Sequence, residues 1–161
     1  MHSLLLGSRD LETIEVVNAR NFREAAEANG VRRIVYLGGL GDVRTVLSPH
    51  LRSRMQVAEE LQNGSCVKTT VFRAAIVIGA GSASYEIIHH LVRRLPVILL
   101  PPWTRTRCQP ISIRDVIRYL VGALETQATE GQSYDIGGRD VLTYAEMMRL
   151  WAQLLGQRRP F

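Results

Sequence analysis

Within Ser48-Pro49-His50-Leu51-Arg52-Ser53-Arg54, a capping serine and a first-turn proline open a helix, so His50 and Arg54 fall one turn apart on a common face. An imidazole exchanges protons near neutral pH, and a guanidinium stays charged while its planar fork grips phosphate, carboxylate or hydroxyl oxygens. Together they suit proton transfer beside a polyhydroxyl or anionic ligand. A surface His and Arg at this spacing are also common, so the pair gains meaning only from its surroundings. Three glycine-rich turns supply candidates: Gly38-Gly39-Leu40-Gly41-Asp42, Gly79-Ala80-Gly81-Ser82 and Gly137-Gly138. Each follows a short apolar run, and ligands of open α/β sheets lie outside the carboxyl ends of the strands. In the first two turns glycine serves a tight turn and close approach to a ligand equally well; in Gly137-Gly138 the turn alone is the better reading.

Other chemistries fail on spacing. Gly79-Ala80-Gly81-Ser82-Ala83-Ser84 nearly matches a dinucleotide fingerprint, but that fingerprint needs an acid ~20 residues on, where this chain has Leu99-Leu100-Pro101-Pro102-Trp103. No other such glycine pattern occurs, so a dinucleotide fold would carry its phosphate-binding turn outside this chain. His89-His90 lack a carboxylate at metal spacing and read as partly buried helix residues. Cys66 and Cys108 make neither a disulfide framework nor a metal site, which fits a reducing, cytoplasmic setting. A nucleophile elbow and a phosphate-binding P-loop are both absent.

The elements that must position these residues follow from periodicity. Asp10 can cap a helix running to Gly30 through Ile14, Val17 and Phe22. Arg33-Ile34-Val35-Tyr36-Leu37 is apolar on both faces, as a strand between two helical layers must be. A helix from Ser48 to Gly64, a doubly buried strand from Thr69 to Ile78 and a helix from Ala83 to Arg94 follow. Extended pieces at 97–100 and 109–113 lead to a helix over 114–125, a strand at 133–136, and a helix opened by a Thr143/Glu146 capping box and closed at Gly156. Strands alternating with helices imply a parallel, doubly wound α/β sheet with helices on both faces, in one domain over 1–161.

Composition supports a globular chain: 161 residues, 46% hydrophobic, with apolar runs far below the ~20 residues of a membrane span. The opening Met1-His2-Ser3-Leu4-Leu5-Leu6-Gly7 has no basic residue before its leucines and does not read as a signal peptide. Of 20 basic residues, only Lys68 is lysine. Arg20/Glu24 and Arg23/Glu27 have the spacing of solvated helix pairs, and the scattered excess lacks the clustered patch that nucleic acid requires.

Taken in order, Arg33-Ile34-Val35-Tyr36-Leu37-Gly38-Gly39-Leu40, the Ser48–Arg54 segment, Phe72-Arg73-Ala74-Ala75-Ile76-Val77-Ile78-Gly79-Ala80-Gly81, Gln109-Pro110-Ile111-Ser112-Ile113-Arg114-Asp115-Val116 and Tyr134-Asp135-Ile136-Gly137-Gly138 resemble the extended and atypical short-chain dehydrogenase/reductase superfamily. Within it the chain is similar to nucleotide-sugar epimerase-like proteins and to the Rossmann-type accessory subunit of respiratory complex I. The resemblance implies a partial Rossmann-like sheet: the catalytic-side half of an NAD- or NADP-binding domain, with the glycine fingerprint and the cofactor-selecting residue upstream. His2 and Ser3 would then lie just past an inner strand.

The same resemblance places cofactor contacts at His2, Ser3, Gly38, Gly39, Leu40, Arg54, Arg73, Ala74, Ala75 and Ile76, and a small-molecule substrate near Ser82, Trp103 and Gln109. The family's catalytic Ser or Thr and its YxxxK pair are replaced: Gly38 or Gly39, His50 and Arg54 occupy those positions. His50 and Arg54 are therefore the catalytic candidates, for an epimerase- or reductase-like enzyme using NAD(P) in its full-length form. The alternative is a non-catalytic dinucleotide-binding scaffold or redox-sensing assembly protein. The strand at 33–37 would present an unpaired apolar edge, a route to homo-oligomers.

Overall fold

The computed structural model describes residues 8–41, 48–95 and 100–157. They fall into two compact units, one from residues up to Ala74 together with Arg118–Ile136, the other from Ala75–Ile117 together with residues from Gly137 onward. In chain order the elements are α1 (Ser8–Ala28), β1 (Arg33–Gly39), α2 (Pro49–Gln62), β2 (Lys68–Ala74), β3 (Val77–Ile78), α3 (Ala83–Arg94), β4 (Arg107–Cys108), β5 (Ile111–Ser112), α4 (Ile113–Glu125), β6 (Ser133–Ile136), β7 (Leu142–Thr143) and α5 (Tyr144–Leu154). Single turns of 3-10 helix span Pro102–Arg105 and Gln127–Thr129. The architecture is α/β, as the alternation of runs predicts.

The first unit is built on a parallel sheet in the order β1-β2-β6. Its central strand shows why the sequence there has no polar face. Thr69 donates its hydroxyl to the Leu61 carbonyl of α2 at 2.7 Å, whereas Thr70 donates to the Thr129 carbonyl on the opposite side, also at 2.7 Å. Val71 and Phe72 continue that alternation and are both buried. Helices α1 and α2 close over Ala19, Ala26, Ile34, Val57, Leu61 and Val67. Burying each large apolar side chain of such a group contributes about 1.5–3 kcal/mol. On the other face, Arg33 donates to the Ala123 carbonyl near the end of α4 and pairs with Glu130 at 2.6 Å, placing its charge where the helix dipole is negative.

The second unit has no long strand among its described residues. β3 pairs in parallel with β5, and β4 pairs antiparallel with β7. Ile76, Ile88, Val92, Met147, Met148 and Ala152 form its core beneath α3 and α5. The capping box predicted for α5 is present: Glu146 N–H donates to Thr143 Oγ1 at 3.1 Å and Thr143 N–H donates to Glu146 Oε2 at 2.7 Å.

Four boundaries differ from the sequence reading. Helix α1 already begins at Ser8, so Asp10 lies inside it and is not its cap. The strand at 33–37 continues through Gly38-Gly39, whose partners Arg73 and Ala74 keep the ladder going. The run from Thr69 to Ile78 is two strands: past Ala74 the chain turns to β5, with the Ile111 N–H donating to the Ile76 carbonyl at 2.9 Å. An unbroken apolar run cannot show such a division, because both strands are buried. The extended piece at 109–113 narrows to Ile111–Ser112, and the β4–β7 pairing has no periodic signal at two residues per strand. Most of the piece at 97–100, and His2 and Ser3, lie outside the described residues.

Candidate functional site

At the carboxyl end of the parallel sheet, several nominated residues of the first unit converge. Gly38 and Arg73 are register partners, as are Gly39 and Ala74, and the Leu40 N–H extends the pairing by donating to the Ala74 carbonyl at 2.9 Å. Glycine at 39 has a packing reason: a Cβ there would come within 2.8 Å of Leu51 Cδ2 and 4.0 Å of Arg54 Cγ. The first two turns of α2 therefore sit directly against the strand end. Ser48 fixes those turns by accepting the Leu51 N–H at 3.3 Å, with Pro49 at the first helical position. His50 is exposed there and Arg54 is half-buried.

Around Arg54 lies a polar cluster on an apolar floor. Arg54 Nε and the Tyr36 hydroxyl oxygen are both buried, and neither completes a hydrogen bond of normal geometry. Burial pushes the Tyr36 phenol above its ordinary value, the neighbouring Arg54 guanidinium pulls it back in part, and Glu15 adds a smaller upward push. Ser53, packed beneath the same turn, donates its hydroxyl to Glu15. Because the Tyr36 oxygen is buried, it can position Arg54 but does not face a ligand. Tyr36 was not nominated from sequence; its signal is one phenol in an otherwise aliphatic strand, which must find a polar neighbour.

Arg73 is engaged differently. Its Nε donates to Asp135 Oδ1 at 2.6 Å, and these residues are register partners on β2 and β6. Asp135 was missed as well, since only the strand register reveals that it faces Arg73. The pair is substantially open to solvent, with side chains 38% and 54% exposed, so its charge remains available at the strand ends.

Ala75, Ile76, Ser82, Trp103 and Gln109 belong to the second unit. There the polar groups are committed internally. Ser82 donates to the Val77 carbonyl at 2.6 Å, and Gln109 Nε2 donates to the Gly138 carbonyl at 2.5 Å. Ile76 is 2% exposed and fills the core. Trp103 is half exposed and meets Tyr144 edge-on at 5.5 Å. Gly79 packs on Ile113, where a Cβ would come within 2.6 Å of the side chain, so packing accounts for the first glycine of the near-fingerprint. His89 accepts the Trp151 indole N–H at 3.2 Å. Among the described residues no three His, Cys, Asp or Glu side chains cluster as metal ligands, and no helix is long and apolar enough to cross a membrane.

The geometry gives a strand-end platform of glycine backbone flanked by an exposed imidazole, a half-buried guanidinium and the Arg73–Asp135 pair. Such a platform can hold hydroxyl or anionic groups of a ligand and offers one group able to move a proton.

No family model matches the chain. Among curated proteins it is 26% identical, over 132 residues, to the mitochondrial NADH dehydrogenase [ubiquinone] 1 alpha subcomplex subunit 9 of Arabidopsis thaliana; the match spans 81% of this chain and 33% of that protein. Among solved structures it resembles the UDP-glucuronic acid 4-epimerase of Bacillus cereus in complex with NAD, with a TM-score of 0.76, 17% identity, and coverage of 95% of this chain and 56% of the epimerase. The dTDP-glucose 4,6-dehydratase of Streptomyces venezuelae with NAD bound gives a TM-score of 0.74 at 16% identity, covering 94% and 53%. A short-chain dehydrogenase/reductase superfamily protein of Agrobacterium tumefaciens with bound NAD gives 0.70 at 18%, covering 99% and 63%. The chain thus has the fold of this group and spans little more than half the length of these three neighbours.

Proposed function

We propose that this chain is the catalytic-side portion of an NAD(P)-binding Rossmann-type domain, of the epimerase, dehydratase or reductase kind, whose complete form acts on a small hydroxylated substrate. The observation that carries this reading is the convergence of Gly38, Gly39, Leu40, Arg54, Arg73 and Ala74 at one end of a parallel sheet. The residues fit the ribose and nicotinamide end of such a cofactor: half-buried Arg54 carries a permanent charge beside the strand end, and the glycine backbone permits close approach. They supply no phosphate cradle among the described residues. When bound, the dinucleotide supplies hydride transfer.

The chain's own residues would divide the remaining work. Arg54 orients ribose hydroxyls while keeping its charge, with the Tyr36 phenol beside its guanidinium. Exposed His50 takes or gives the proton of the substrate hydroxyl, in place of the tyrosine usual in the resembling family. Arg73, anchored by Asp135 through its Nε, offers its remaining guanidinium N–H groups at the strand ends.

A second reading is a dinucleotide-binding scaffold or redox-sensing assembly subunit without catalysis. Two facts favour it: the curated relative is named as a subunit of an NADH dehydrogenase, and Arg54, always charged, cannot itself take or give a proton as lysine can. Replacing His50 by Ala in the full-length protein separates the two. The enzyme reading expects cofactor binding to persist while substrate-dependent oxidation or reduction of the cofactor falls ~100-fold or more. Cofactor turnover absent from the unaltered protein across hydroxylated substrates would leave the scaffold reading. The outer edge of β1, which pairs with no other described strand, would also favour association of the isolated chain, read by sedimentation as dimers or larger species.

A further inference from the structure

The dipeptide Asn-Gly occurs twice in the chain, at Asn29-Gly30 and Asn63-Gly64, each where a helix gives way to a turn. Its chemistry is intrinsic: the glycine amide nitrogen can attack the asparagine side-chain carbonyl, because no Cβ shields the approach. The fold requires glycine at both places. Gly30 has φ +68°, in the left-handed region, and at Gly64 a Cβ would come within 2.9 Å of Glu27 Oε1 and of Val67 Cγ1.

The two pairs are held in opposite ways. After α1, the Gly30 N–H donates to the Glu27 carbonyl at 3.1 Å and the Val31 N–H to the Ala26 carbonyl at 2.9 Å, the double closure of a left-handed helix cap. The Asn29 side chain donates its Nδ2 to the Ala25 carbonyl at 2.8 Å. Both the attacking nitrogen and the departing amide are tied there. After α2, the Asn63 N–H donates to the Glu60 carbonyl at 3.3 Å, but neither the Gly64 N–H nor the Asn63 side chain has a hydrogen-bond partner among the described residues. Asn63 is exposed.

We propose that Asn63 is a site of spontaneous deamidation and isoaspartate formation, and that the cap after α1 protects Asn29 from the same reaction. The Gly64 nitrogen gives its proton to solvent base and bonds to Asn63 Cγ; the Cγ–Nδ2 bond breaks and ammonia leaves, giving a five-membered imide. Water opens that ring at either carbonyl, to aspartate or to isoaspartate, and nothing is oxidised or reduced. Each product puts a carboxylate at the carbonyl end of α2, where the helix dipole is already negative, in a groove that Glu59 and Glu60 also line. Isoaspartate adds a methylene to the main chain as well, just ahead of Ser65 and Cys66, whose N–H groups bind Glu27.

The test is incubation of the full chain at mildly alkaline pH, followed by trypsin digestion and mass spectrometry, with isoaspartate methyltransferase labelling to count the rearranged product. Cleavage puts the two sites on separate peptides, Glu24–Arg32 and Met55–Lys68, each with a single asparagine. In the folded chain the Asn63 peptide should gain one mass unit at least ~10-fold faster than the Asn29 peptide, the factor expected when two hydrogen bonds must first be broken. In denaturant the two rates should converge. The rate at Asn63 should rise with pH, because the attacking nitrogen must lose its proton, and Asn63→Gln should remove the change from its peptide. Equal rates in the folded chain, a faster Asn29, or a preference for Asn63 that survives denaturation would overturn the proposal. So would an Asn63 peptide that stays unmodified in the folded chain over an interval in which the denatured chain converts.

Discussion

The two units spend their polar groups in opposite ways. In the second, the nominated hydroxyl and amide close on neighbours, Ser82 on Val77 and Gln109 on Gly138, as does the His89 imidazole on Trp151. In the first, Tyr36 and Arg54 keep buried atoms without partners, and His50 stands exposed beside them. Buried groups that lack partners cost stability, and a fold retains them where something else is to be bound or oriented. The proposed function draws on this contrast, placing ligand chemistry at the strand ends of the first unit.

The largest effect that should separate the units is on stability. Met148 is 2% exposed in the second core, so Met148→Ala should destabilise by about 2–5 kcal/mol in denaturant unfolding. Cofactor affinity of the surviving folded fraction should be unchanged, and a matching loss of affinity would blur the division. Arg54→Met should do the reverse. Loss of a charge-assisted hydrogen bond of about 1.5–3 kcal/mol predicts cofactor binding ~10–100-fold weaker in the full-length protein, with little change in melting temperature. A smaller test lies in the capping box, where Thr143→Ala should cost about 1 kcal/mol and leave binding alone.

The pH dependence sharpens the same comparison from the structural side. Glu27 accepts backbone N–H groups from Cys66 and Ser65, and Glu60 accepts from Arg20 and Arg23. Both carboxyls are held below the ordinary 4.5, Glu27 first by the Cys66 N–H and Glu60 first by Arg20. A carboxyl depressed on folding stabilises fully above its unfolded value, and that contribution disappears as pH falls through the folded one. Stability should therefore drop below about pH 4.5, and Glu27→Gln should flatten part of that fall. A fall unchanged in Glu27→Gln would assign it to other carboxyls.

The fold was legible where periodicity and punctuation agree. The apolar run at 33–37, Ser48-Pro49, and Thr143 with Glu146 each encode their element locally. The segment order also pointed to the right fold. What was hidden depends on pairing. Arg73 facing Asp135, Arg54 lying against Gly39, and the β3–β5 break all arise from strand register or helix packing, which no local window contains. Arg20 illustrates this on the surface: spacing suggests Glu24, yet it reaches across to Glu60 on α2, while Arg23 does pair with Glu27 as its spacing implies.

Amide chemical-shift mapping of the chain with millimolar NAD tests the central claim most directly. Perturbations should centre on Gly38–Leu40, the first two turns of α2 and Arg73–Ala74, with affinity weaker than micromolar in the absence of a phosphate-binding turn. Perturbations confined to Ser82, Trp103 and Gln109, or none at all, would contradict it.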